Sequence, residues 1–127
     1  MSLSKYITER LKITSNTKPL RLVPETREEL YSLIEIELKE QGPDADLNHI
    51  DTSKIDNMNG LFNWLEIGNI KIDKWDVSKV TTMQTMFAGQ ENFRGTGLEH
   101  WNVSNVKRMS YMFDGCKIFN VDLSNWD

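Results

Sequence analysis

A thirteen-residue phrase recurs along this chain: "WDVSKVTTMQTMF" at 75–87 returns as "WNVSNVKRMSYMF" at 101–113. A variant, "IDTSKIDNMNGLF", stands at 50–62, and "SNWD" at 124–127 opens a further copy. In this alignment Leu47, Ile72, Leu98 and Leu123 are equivalent and lie 25, 26 and 25 residues apart, the extra residue falling in "FRGTG" at 93–97. A fixed period of this length is the mark of stacked units. The few apolar side chains of one copy cannot offset the entropy of ordering its backbone, so each copy needs a neighbour against which to bury its faces.

Within a copy, Leu98, Trp101 and Val103 follow the L-x-x-L-x-L spacing of a leucine-rich repeat, which predicts a short strand with its last two side chains on one face. Val106, Met109, Met112 and Phe113 then read as the buried stripe of a two-turn helix. Ser53, Ser78 and Ser104 stand where they would cap that helix, and Gly89 and Gly115 where it would stop. The predicted fold class is α/β: a right-handed leucine-rich-repeat-type solenoid with short parallel strands on one face and short helices on the other. Residues 47–127 supply about three repeats and the first strand of a fourth, and residues 1–46 an N-terminal cap. In that cap, "PETREELYSLIEIELKEQG" predicts a helix over 26–41, with Thr26 as N-cap, Glu29 at the capping-box position and Leu30, Leu33, Ile34 and Leu38 along one face. "KITSNTKPLRLV" before it is read as a strand or hairpin.

Composition narrows the function classes. The net charge of −4 provides no general basic field for nucleic acid or anionic membrane. Charge is nonetheless segregated: residues 1–24 carry five Lys/Arg against Glu9, and residues 25–46 carry eight acids against Arg27 and Lys39. No apolar run approaches the ~20 residues of a membrane helix, and no signal-peptide core is read near the N-terminus. A single cysteine, Cys116, excludes an intramolecular disulfide framework.

"DKWDVSKVTTMQTMFAG" and "LEHWNVSNVKRMSYMFDGCKIFNVDLSNWD" resemble the BspA-like leucine-rich repeats of bacterial surface proteins and mycoplasma-type lipoproteins. The resemblance covers about 47–127. The preceding stretch, from "RLVPETREELYSLIEIELKEQG" on, resembles the segment that leads into such arrays. The departures are Ile50 for Trp, Thr52 for Val, "NWLEIGN" at 63–69 in place of the linker, and Asn102 for Asp. The resemblance implies a leucine-rich solenoid, cell-surface or secreted placement, a buried Cys at 116, binding to host or matrix proteins, and no reaction.

From the residues themselves, Trp75, Trp101 and Trp126 recur among Leu, Val and Met and are read as core, as are the methionines. Trp64, outside the register, is the surface aromatic. His49 and His100 share a repeat position, but coils two apart are separated by roughly 9–10 Å, too far to share one zinc. Asp51, Asp76, Asn102 and Asp127 form a row suited to turn bonding. No catalytic constellation, metal site or cofactor-binding motif is read, and the chain is taken as a non-enzyme. The candidate partner-binding residues are Lys74, Asp76, His100, Asn102 and Asn125 on the polar strand face, together with Trp64. The expected partner is a protein. The alternative to a surface or adhesion-type module is an intracellular or phage-type interaction protein that inhibits or scaffolds its partner. A bare last strand predicts either continuation with more copies or a homodimer through residues 123–127.

Overall fold

The computed structural model describes residues 22–126. All but the last two residues of the expected N-terminal strand or hairpin, most of the basic block and Asp127 of the Asx row lie outside that range. One α-helix, α1 (Arg27–Gln41), precedes the repeats. Thr26 is extended, and its hydroxyl accepts from the Glu29 N–H at 3.1 Å. Glu29 Oε2 in turn accepts from the Glu25 N–H at 3.5 Å, one residue short of the usual capping-box donor. Leu30, Leu33 and Ile34 are fully buried and Leu38 packs against the same core. Gly42, at φ 88°, ends the helix with its N–H on Leu38 O.

The repeats do stack in register, but not as the sequence predicts. Among the described residues there is no sheet: parallel pairing is confined to four isolated bridges, Leu22 with Ile50, Asp46 with Lys71, Asn57 with Thr82, and Thr82 with Arg108. Nor does any copy form the two-turn helix; a 3-10 turn at Leu98–His100 is the only other helical element described. The leucine-rich-repeat solenoid of parallel strands and short helices is therefore not the fold of this chain.

The hydrogen bonds show why. A helix through 80–87 would need the N–H groups of Met83, Thr85 and Phe87 for its own ladder or its capping. Instead they reach forward to Arg108 O, Ser110 O and Met112 O of the next copy, at 2.8–2.9 Å. The preceding copy repeats the pattern, with Met58, Gly60 and Phe62 donating to Thr82 O, Gln84 O and Met86 O. Donors between them close short turns, such as Met86 N–H to Met83 O. The serine hydroxyls likewise do not cap helices: Ser78 and Ser104 donate theirs to Asp76 and Asn102.

These turns place a left-handed residue at one shared position in each copy. Gly60 (φ 60°), Thr85 (φ 55°) and Tyr111 (φ 57°) occupy equivalent positions. Only glycine adopts this conformation without strain; each of the other two costs about 1–2 kcal/mol, which the inter-copy bonds must offset. The extra residue of the 93–97 stretch is accommodated by Gly95 (φ 80°), where a Cβ would lie 2.1 Å from the Phe119 ring.

Aromatic ladders fill the core. Trp75, Trp101 and Trp126 stack at 6.3 and 6.5 Å, within 9° of parallel. Each indole N–H donates to the first residue of the preceding copy, at Leu47 O, Ile72 O and Leu98 O, over 2.8–2.9 Å. A second ladder runs through Phe62, Phe87 and Phe113 at 5.2 and 5.7 Å. Two departures in the first copy fit their positions. Leu22 O, the carbonyl that an indole at 50 would seek, accepts from the Asp51 N–H at 2.7 Å, and buried Thr52 uses its hydroxyl to bond Asp76 O at 2.9 Å. Helix α1 is tied to the stack by Arg27 Nε on Asn59 O at 2.7 Å and by His49 Nε2 3.4 Å from Glu37 Oε1.

Candidate functional site

The predicted polar-face residues Lys74, Asp76, His100, Asn102 and Asn125 are all exposed. The geometry gives two of them structural work. Asp76 Oδ1 accepts from the Ser78 N–H at 3.0 Å and from its hydroxyl at 2.6 Å, and Asn102 Oδ1 does the same for Ser104 at 3.1 and 2.7 Å. Asp51 makes the corresponding backbone bond to Ser53 at 2.9 Å. The Lys74 N–H is held by Asn48 Oδ1, and His100 lies 3.9 Å from Glu99 Oε1. Beside His100 a shallow hollow of about 520 Å³ is lined by Lys71, Asp73 and Glu99 among others. Among the described residues, no three His, Cys, Asp or Glu side chains converge as metal ligands.

The two bonds from Ser78 hold the Asp76 carboxyl below its usual range. Such a group stabilises the fold at pH values above the ordinary carboxylate range, and its contribution is lost as pH falls through the lowered value. Asn102 makes the same bonds without a charge, so Asp76→Asn should fold normally and lose less stability than the native chain on acidification. Thermal unfolding from neutral to strongly acidic pH checks this; identical acid profiles would show that Asp76 contributes no pH dependence.

Trp64 occupies different surroundings from the other indoles. It is 86% exposed and stands over a hollow of about 700 Å³ walled by Pro43, Asp44, Glu66, Ile67, Gln90 and Glu91. Gln90 builds this feature. Its side-chain amide is buried, donates to Phe62 O at 2.6 Å and to Leu65 O, and accepts from the Ile67 N–H at 3.2 Å. One copy later, Cys116 holds the same position, and its thiol donates to Phe87 O at 3.1 Å. The cysteine and the glutamine therefore serve equivalent carbonyls of successive phenylalanines, and the glutamine adds two bonds that pin the 63–67 loop. Half-burial pushes the Cys116 thiol up, the opposite of what a reactive thiol needs. The loop is also anchored by the Gly68 N–H on Pro43 O and the Asn69 N–H on Asp44 Oδ1, both at 2.7 Å.

Sequence reasoning found Trp64 but not Asp44, Glu66, Gln90 or Glu91. The available signal was the pair of departures from the repeat, "NWLEIGN" at 63–69 and Gln where the later copy has Cys. A third hollow, about 420 Å³, is lined by Tyr111, Phe113, Leu123 and Trp126, where burial fades toward the last described residues.

A register-locked stack of copies that share their buried positions, with one irregular loop displaying a tryptophan, defines a repeat protein. Residues 34–127 match the family described as Mycoplasma protein of unknown function, DUF285, and the chain belongs to that family. The mycoplasma side of the sequence resemblance is the part this match carries. Comparison with curated proteins and with solved structures gave no match.

Proposed function

We propose that the chain is a non-catalytic protein-binding module of a bacterial surface or adhesion-type protein, and that it meets its partner at the Trp64 hollow. The observation that carries this reading is the buried Gln90 amide, whose three bonds fix a loop that holds a large indole in solvent. Tryptophan is among the residues most often dominant in protein interfaces, and a pinned loop loses little entropy on binding. Surface placement is supported by the Mycoplasma family and by the likeness of the repeats to those of surface lipoproteins. The polar face is the weaker candidate, because Asp76 and Asn102 each commit Oδ1 to their own turn.

Immobilised chain, exposed to host extracellular and membrane extracts, tests the reading. A captured protein should bind Trp64→Ala at least tenfold more weakly, about 1.4 kcal/mol. The pair Lys74→Glu with Asp76→Lys should leave its affinity unchanged. The reverse outcome would transfer the site to the polar face, and capture indifferent to both variants would remove both surfaces.

A further inference from the structure

We infer that the Trp64 hollow receives a cationic side chain, arginine or lysine, from a basic segment of the partner protein. The inference rests on the binding reading above and names the chemistry of what docks there. Three carboxylates, Asp44, Glu66 and Glu91, line the hollow, and among the described residues no Lys or Arg does. Asp44 already accepts the Asn69 N–H through one oxygen. Among the described residues Glu66 has no hydrogen-bond or ion-pair partner. Glu91 is approached by Lys117 at 3.1 Å, but both side chains are more than half exposed, so that pair is weak and readily exchanged.

An indole face attracts a cation through its ring quadrupole, and nearby carboxylates reinforce the attraction. Arginine fits this combination best: its guanidinium plane stacks on an aromatic ring while its N–H groups reach carboxylates. The amide groups of Asn63 and Asn92 complete a polar rim. The chain itself provides a small instance of this contact, the Arg27 guanidinium lying 5.7 Å from the centre of the Tyr31 ring.

The probe is a capped peptide of alternating arginine and glycine, titrated calorimetrically into the intact chain. Its control carries citrulline, the neutral isostere, at every arginine. The arginine peptide should bind saturably and the citrulline peptide at least tenfold more weakly. Trp64→Ala, and separately Glu66→Gln with Glu91→Gln, should each reduce arginine-peptide binding at least fivefold without changing the unfolding temperature, because all three side chains project into solvent. Raising salt should weaken the arginine peptide alone. Equal binding of the two peptides, indifference to Trp64→Ala, or tighter binding of a neutral oligosaccharide would each overturn the inference. If protein capture still depends on Trp64 while the two peptides bind alike, the basic-segment chemistry fails and the binding reading stands. If neither depends on Trp64, both fail.

Discussion

Trp101→Ala should destabilise the protein by about 3–5 kcal/mol, as expected when a large buried aromatic is deleted from a packed core. Trp101 is 4% exposed and sits between Trp75 and Trp126 in the indole ladder, with its N–H on Ile72 O. Trp101→Phe keeps an aromatic ring in the ladder while removing the N–H and part of the buried ring, and should cost less than the alanine variant. Ile72 O keeps the Trp75 N–H as a donor, so loss of the indole bond itself should cost only about 1 kcal/mol. Urea denaturation followed by circular dichroism measures both. A loss below about 1 kcal/mol for the alanine variant would show that the ladder contributes little to stability.

Gln90→Leu should cost about 2–4 kcal/mol, because it leaves Leu65 O and the Ile67 N–H without their Gln90 partner and Phe62 O with only the Leu65 N–H. Gln90→Cys copies the later repeat and is the sharper variant. It should keep the bond to the phenylalanine carbonyl, as Cys116 does, and lose the two to the loop, for an intermediate cost near 1–2 kcal/mol. Hydrogen exchange should then rise at Ile67 and Gly68 while staying unchanged at Met83 and Phe87, whose N–H groups bond the next copy. If exchange at Ile67 is unaffected by either variant, the loop is held by its Pro43 and Asp44 contacts alone.

What was legible in the sequence, and what was not, divides along a physical line. The period, the buried positions of Trp75, Trp101, Met83 and Phe87, and the Arg27–Gln41 helix with Thr26 as its cap all follow from apolar spacing and local capping. The backbone between buried positions did not follow. Steps of three, three and one from Val106 to Phe113 suit a helix, yet they equally suit successive tight turns whose N–H groups bond the neighbouring copy. Side-chain spacing records which residues face inward and is silent on where the backbone donors go. Tyr111 and Thr85, in left-handed geometry, are residues that no local propensity would place there; the stacking of copies imposes it. The Trp64 hollow was half visible. Its indole stands out as an aromatic off the register, whereas Gln90 earns notice only when aligned with Cys116, and Asp44 and Glu66 meet only once Gly68 is packed against Pro43.

The indole ladder also divides the four tryptophans of this chain into two optical populations. Trp75, Trp101 and Trp126 lie nearly parallel at 6.3 and 6.5 Å, close enough for their transitions to couple and give a strong near-ultraviolet dichroism that exists only while the copies are stacked. Trp64 stands apart in water and should emit further to the red, accessible to a soluble quencher that cannot reach the buried Trp75 and Trp101. The protein thus carries separate built-in reporters, one for the integrity of the stack and one for occupancy of the hollow, and a ligand that alters the second while leaving the first unchanged has been bound without disturbing the fold.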